Sequence, residues 1–422
     1  MAATTNKLNY AAVPPRATSS RALRNEIVPS NGSSFTAGNT IIFDLPSNVP
    51  NTFLDTHSSY VSMLVSNVDG THDVKFCGNG FPASIRRLTI EIGGQTLYSL
   101  DHYGELFSAM MDLDAAQDFK SNAGNVLFGS ANDHNGAVLG EGTSRRVCFP
   151  LFLTPLMANK YFPSPMSRDR MRIRLEMDTA ARGYILENAA ITDSDITFTE
   201  VKFIAYNLEL GADVMAQVAA ASGGTFKIAC PSYQHHQTSI AAAASSISPT
   251  LGFSMSSLNR VIVLQQLQAV TATNETIGNR SRMDLERFSI SIGGVKYPQL
   301  DIKVSADGSE ALAEALVSQR HLTSVGGITS INSLGGFAAD EPAGNDANNT
   351  GKFLLDVDLE SQRAGANPES QLVAGVNTIG AVVQAKLDYT NGITAAHVIN
   401  FYGEHTLLLM LDLNTLTFSI AV

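Results

Sequence analysis

The feature that most constrains this chain is a stretch it writes twice. Residues 85–101 read I-R-R-L-T-I-E-I-G-G-Q-T-L-Y-S-L-D, and residues 285–301 read L-E-R-F-S-I-S-I-G-G-V-K-Y-P-Q-L-D. Arg87, Ile90, Ile92, Gly93, Gly94, Leu100 and Asp101 recur as Arg287, Ile290, Ile292, Gly293, Gly294, Leu300 and Asp301, each 200 positions on. Apolar residues alternate with polar ones up to the Gly-Gly pair, and a second short extended run follows. Period-two alternation marks a strand with one buried face. Paired glycines supply the positive φ that a tight hairpin turn needs. A match of this length without a gap predicts one hairpin in each of two related domains in tandem.

The rest of the chain repeats one programme around those hairpins. In the first half, strands are expected at 40–45, 59–68 and 73–77. After the hairpin, Tyr103, Leu106, Phe107, Met110 and Leu113 fall at helical spacing behind Asp101, a ready N-cap. Residues 117–145 are polar and rich in Gly and Asn, and read as a long loop, functional or mobile. Residues 146–153 read as a strand buried on both faces; 171–177 alternate cleanly; 196–210 close the half. A helix-forming connector runs from 211 to Gly223-Gly224. The second half then offers strands at 225–229, 239–244 and 258–267, the second hairpin, a helix at 309–319, a loop at 324–350, and strands at 353–359, 381–389, 397–413 and 415–422.

About eight strands per half and very few helices exclude parallel β-α-β units. Half of 422 residues is too long for an immunoglobulin-type sandwich of about 100. The fold class predicted is all-β: two tandem jelly-roll β-sandwiches with short accessory helices. The expected divisions are a flexible basic arm over 1–30, jelly roll 1 over 31–210, a helical connector over 211–224 and jelly roll 2 over 225–422.

Composition narrows the function. A net charge of −11 argues against nucleic-acid binding by the body, whereas Lys7, Arg16, Arg21 and Arg24 face only Glu26 in the arm, which leaves a weak contact of the arm with nucleic acid open. Only 16% of residues are charged, the profile of a surface meant to be covered by other subunits. Cys77, Cys148 and Cys230 are odd in number and scattered, so a reducing compartment is expected. No stretch reads as a signal peptide or reaches the roughly 18 apolar residues of a membrane span.

Catalytic patterns are not found. The chain has no G-x-S-x-G elbow, Walker loop or G-x-G-x-x-G turn. His235-His236 is the one histidine cluster, and neighbours on a strand point to opposite faces, a poor geometry for sharing a metal. His397 and His405 read as polar ends of a strand. Asp356 with Asp358, and Glu176 with Asp178, each share one strand face, expected to be the solvated one, which weighs against a glycosidase pair. No catalytic, cofactor-binding or metal-binding residue is assigned, no cofactor is expected, and the chain is read as not an enzyme.

With these elements placed, the sequence resembles the double jelly-roll major capsid proteins of tailless icosahedral DNA viruses, most of all those of Polinton-like viruses, adintoviruses and virophages. The segments that carry the likeness are I-V-P-S-N-G-S-S-F-T-A-G-N-T-I-I-F-D-L-P from Ile27, F-L-D-T-H-S-S-Y-V-S-M-L-V from Phe53, the hairpin through Phe107, and F-P-L-F-L-T-P-L-M from Phe149. The resemblance implies a homotrimeric, pseudo-hexagonal capsomer that tiles an icosahedral shell. It also implies contacts with neighbouring capsomers, penton proteins and minor capsid proteins. The loops at 117–145 and 324–350 would then be outward towers or subunit contacts. Localisation would be the virion, assembled in host cytoplasm or nucleus, with an internal membrane left open. Two alternatives stand beside it: a two-domain β-sandwich carbohydrate-binding protein or glycosidase, and a viral spike or minor vertex protein. The absence of Trp and an aromatic fraction of 7% weigh against the first, and the 200-residue repeat against the second.

Overall fold

The computed structural model describes residues 20–421 apart from 132–135, 159, 269–276, 305–307, 320, 323–330, 332–336, 338–350, 361–374 and 391–395. The first half opens with β1 (Ser20–Ile27), β2 (Phe35–Thr36), β3 (Thr40–Asp44), β4 (Thr52–Asn67), β5 (Val74–Phe76), β6 (Ile85–Ile92) and β7 (Gln95–Asp101). Then come α1 (Tyr103–Asp114), α2 (Gln117–Phe119), α3 (Asn125–Phe128), β8 (Val138–Leu139), β9 (Ser144–Phe149), β10 (Met171–Met177), α4 (Ala180–Gly183), β11 (Tyr184–Leu186) and β12 (Ile196–Leu210). Helix α5 (Ala212–Ala221) leads into β13 (Thr225–Ile240), β14 (Ser246–Ile247), β15 (Thr250–Leu251), β16 (Leu258–Leu267), β17 (Leu285–Ile292) and β18 (Val295–Lys303). The chain ends with α6 (Ser309–Ser318), β19 (Leu355–Asp358), β20 (Val383–Tyr389), β21 (His397–Asp412) and β22 (Thr417–Ala421).

Each half stacks two sheets. In the first, β1-β12-β4-β9 faces β3-β10-β6-β7, with a small β11-β5-β8 sheet beside them. In the second, β13-β21-β16-β19 faces β14-β20-β17-β18. The two orders correspond strand for strand, so β1 matches β13, β7 matches β18 and α1 matches α6. The long ladders are antiparallel. Among the described residues no strand of one half pairs with a strand of the other.

Alternation explains the stacking. Met171, Ile173, Leu175 and Met177 of β10 are buried while Arg172 is exposed. Phe43 of β3 meets Phe203 of β12 across the sandwich at 6.1 Å between ring centroids. In the second half Tyr389 of β20 reaches across to donate to Gln265 of β16 at 2.9 Å.

Both hairpins form, and both turn on positive-φ glycines: 58° and 80° at Gly93 and Gly94, 59° and 85° at Gly293 and Gly294. Their registers differ. Arg87 lies opposite Asp101, but Arg287 lies opposite Lys303. The second ladder is interrupted between Phe288 and Ile290, next to Pro298, which has no N–H to give.

Three expectations are corrected. Residues 20–27 of the expected flexible arm form β1, paired with β12 from Ser20↔Leu210 to Ile27↔Phe203; residues 1–19 lie outside the described residues. The 117–145 stretch is not a structureless loop: helical turns run from 117 to 128, and Lys120 and Phe128 are buried. Strand β9 spans 144–149 instead of 146–153, alternates in burial, and lies at a sheet edge, because Pro150 ends the ladder. Almost all of the 324–350 loop lies outside the described residues.

Candidate functional site

The densest polar chemistry lies in the seam where α1 and β7 of the first half meet the second half. Every residue of α1 from Tyr103 to Leu113 is buried, including three that no apolar stripe would supply: Glu105, Ser108 and Asp112. Gly104 makes this packing feasible, since a Cβ there would sit 1.9 Å from the Ala83 carbonyl oxygen.

Asp112 is the centre of the lower part of the seam. Its Oδ1 accepts from Lys120 Nζ at 2.6 Å and from Asn79 Nδ2 at 3.1 Å. Its Oδ2 accepts from the Arg280 guanidinium, which comes from the second half. Arg280 also donates to Ser108 Oγ at 3.3 Å and to the Phe353 carbonyl at 3.2 Å. Asp112, Lys120 and Arg280 are all fully buried. Burial pushes the Lys120 ammonium below its ordinary range, although Asp112 opposes the shift.

The upper part is built on histidines. The His102 ring packs at a tilt against His235 of β13 at 4.9 Å between centroids, and His235 in turn at a tilt against Tyr402 of β21 at 4.9 Å. Tyr402 donates to the His102 carbonyl at 2.9 Å, and His235 Nε2 lies 3.0 Å from Asn400 Oδ1. Glu105 lies 3.0 Å from His102 Nδ1 and accepts from Arg182 at 2.5 Å. Burial alone would raise Glu105, but His102 and Arg182 outweigh it and hold the carboxyl at about 2. Burial works against charge on His102, yet Glu105 keeps its pKa above the ordinary value. Burial carries His235 down to about 4. Of the pair, His102 is therefore the readier to take a proton and His235 the more reluctant.

Other residues singled out in the sequence are engaged elsewhere. Asp356 is not solvated; it is buried and accepts from Arg260 at 3.1 Å, Ser318 at 2.9 Å and Gln319 at 3.1 Å. Desolvation raises its pKa to about 7, against the pull of Arg260. Asp178 is likewise buried, beside Arg182 at 3.2 Å, while its neighbour Glu176 is partly exposed near Arg87. Both corrections have one cause: a polar strand face solvated in an isolated sandwich is covered where a helix or loop crosses it. His235 and His236 point apart, the second toward Phe401. His397 and His405 are buried. Among the described residues no group of three or more His, Cys, Asp or Glu side chains is placed to hold a metal ion. Also among them, no helix is long and apolar enough to cross a membrane. Tyr161 and Phe119 are exposed aromatics on different grooves, the first lined also by Phe53 and Phe226 and the second by Phe107, Phe152 and Tyr233.

Sequence reasoning missed Asp112, Lys120, Asn79 and Arg280. A signal existed: the dipeptide Gly78-Asn79 recurs as Gly278-Asn279, again 200 positions on, and the network sits on those two segments.

What the seam does chemically is hold two β-sandwiches in one relative position with partnered charges. No protein-family model and no curated protein matches the sequence. Solved structures do match the fold. The crystal structure of PBCV-1 VP54, fitted into a reconstruction of the virophage Sputnik, is 16% identical with a TM-score of 0.64, over 98% of this chain and 99% of that one. The Faustovirus major capsid protein is 9% identical with a TM-score of 0.58, over 95% and 92%. The mavirus major capsid protein is 12% identical with a TM-score of 0.52, over 99% and 93%. Along nearly its whole length, this chain has the double jelly-roll fold of those capsid proteins.

Proposed function

We propose that the protein is a structural capsid subunit, three copies of which form a pseudo-hexagonal capsomer that tiles an icosahedral virion shell. The observation that carries the reading is the end-to-end likeness: both jelly rolls and their connector are covered together, with 98% of this chain against 99% of a capsid chain. A spike or vertex protein with one jelly roll would leave half the chain unmatched. The working parts are then surfaces, and the domain plan of jelly rolls over 31–210, with β1 added to the first of them, and over 225–422, and a connector over 211–224, belongs to the same proposal. A threefold ring needs heterologous contacts that close, each burying more than about 1,000 Å². Neighbouring capsomers, penton proteins and minor capsid proteins are the further partners.

The test is the mass of the purified protein by light scattering, followed by negative-stain microscopy. The expected result is a species of three times 44.9 kDa or assembled shells. A stable monomer at micromolar concentration, without higher assemblies, sinks the proposal.

A further inference from the structure

We propose that the groove between α1 and β13 binds a small organic cation, an ammonium group on an aromatic or aliphatic body, with its charge at Asp114 and its body against phenylalanine and methionine side chains. The proposal goes beyond the capsid reading and does not rest on it.

The groove has a volume of about 480 Å³, within the range of small-molecule sites. Its first-half wall is built from Phe107, Met110 and Met111 of α1, Phe119 of α2, and Phe152 and Met157 after β9. Pro231 and Tyr233 of β13 form the other wall, so an occupant touches both halves of the chain. The phenylalanines belong to one cluster. Phe107 and Phe152 lie 5.5 Å apart between ring centroids, and Phe119 and Phe152 each pack on Phe128, at 6.3 and 6.1 Å. Phe119 is 39% exposed, so this wall is reachable from solvent. Ring faces attract a cation electrostatically. Flexible thioethers adapt to an irregular apolar body.

Asp114 is the one charged side chain among the described residues that line the groove. It is the last residue of α1, and the final turn of that helix holds no basic side chain. The C-terminus of a helix carries the negative end of its dipole, where a carboxylate is disfavoured and a cation favoured. The other two acids of α1 are satisfied: Glu105 by His102 and Arg182, and Asp112 by Lys120, Asn79 and Arg280. Among the described residues the Asp114 carboxylate accepts no hydrogen bond, and its ion pair is with His321 at 3.8 Å, too long for a hydrogen bond. Nearby Arg260 is already held by Asp356 and Glu404. Burial raises the Asp114 pKa, Arg260 and His321 oppose the rise, and Glu404 adds to it. A cation in the groove relieves that cost. The stretch that follows soon after His321 does not supply one: residues 323–350 contain no Lys or Arg, and three acids, Asp340, Glu341 and Asp346.

The probe is phenylbutylammonium, with phenylbutanol as its neutral analogue and phenylbutyrate as its anionic one. Each is titrated into the full chain by isothermal calorimetry, with the thermal midpoint read in parallel. The expected result is saturable binding of the ammonium, about tenfold or more tighter than the alcohol because its hydrogen bond is charge-assisted. The butyrate binds more weakly than either, and the ammonium raises the thermal midpoint. Asp114→Asn alters a side chain that is 38% exposed, so the fold should survive, checked by circular dichroism. It removes the preference for the ammonium and leaves the affinity for the alcohol as it was. Phe119→Ala weakens ammonium and alcohol together. Equal affinity for ammonium and alcohol, a preference that survives in Asp114→Asn, or no saturable binding of the ammonium overturns the site. None of these outcomes touches the capsomer reading, which the mass of the assembly tests.

Discussion

The two hairpin–helix units, β6-β7-α1 and β17-β18-α6, come from one sequence pattern and end in different surroundings. Helix α1 carries Glu105 and Asp112 and is buried from Tyr103 to Leu113; α6 carries Glu310 and Glu314 and buries only two alanines. Hydropathy alone would not put the helix with the buried charges inside. What reverses it is the second half, which covers α1 and supplies Arg280, His235 and Tyr402 as partners. A buried ion is tolerated when geometry and added hydrogen bonds compensate its desolvation. The difference between the units is therefore what each packs against, and each can be probed at matched positions.

The largest contrast is expected between Asp112→Ala and Glu314→Ala. The first leaves Lys120 and Arg280 buried without the carboxylate between them and should cost about 3–5 kcal/mol in denaturant unfolding. The second should change stability by no more than about 0.5 kcal/mol. Equal losses would mean that the seam does not set the difference between the helices.

Next come the turn glycines, where φ is nearly the same in both copies. Gly293→Ala should cost about 1–2 kcal/mol for the left-handed backbone. Gly93→Ala should cost roughly 1 kcal/mol more, because its Cβ would fall 2.8 Å from the Asp169 carboxylate whereas that of Gly293 meets only Ala381 at 3.8 Å. Indistinguishable melting curves for the two would contradict this.

The histidine pair beside α1 sets a further pH dependence. His235 is held at about 4 in the fold, so below an unfolded value near 6.5 the unfolded chain takes up a proton that the native one refuses. Its contribution is present above pH 6.5 and is lost as pH falls toward 4. His102 acts in the other sense: its pKa is raised, so its contribution is present below pH 6.5 and is lost as pH rises through its folded value. Glu105, Arg182 and Asp101 hold that balance from the same half, and Asn400 and Tyr402 face it from the other. The stability of the wild type relative to His235→Phe should fall with acidification between pH 6.5 and 4 and stay constant above it. A constant difference across that window would refute the assignment.

The smallest effect belongs to the shared arginines. Arg87 reaches Asp101 at 3.0 Å and Glu176 at 3.5 Å; among the described residues Arg287 pairs with its neighbour Glu286, at 3.2 Å. Arg87→Ala should cost about 0.5–1 kcal/mol and Arg287→Ala close to nothing. A common structural role for the two would instead give equal losses. The register separates them: Arg287 lies opposite Lys303, and Asp301, the counterpart of Asp101, is held by Lys296 at 2.6 Å.

Much of the fold was legible before any coordinates. The repeat predicted both hairpins, and alternation located β10 and β12 at their observed ends. Legibility failed where a tertiary neighbour overrides local pattern. The Gly- and Asn-rich 117–128 segment folds because Lys120 and Phe128 have buried sites to fill. Residues 20–27, basic and polar, become a strand because β12 offers them a ladder. Asp356 was assigned to solvent by alternation, and Ser318 and Gln319 from the end of α6 cover it.

The sequence by itself determined that two related sandwiches follow one another, because strand period, turn glycines and a constant 200-residue spacing are local facts that a chain cannot hide. Only the tertiary structure decided which copy of the repeated unit is sealed and which is open. Burial is a property of what packs against a residue, and Arg182, Arg280 and Tyr402, which close over Glu105, Asp112 and His102, lie 77, 168 and 300 residues from them along the chain.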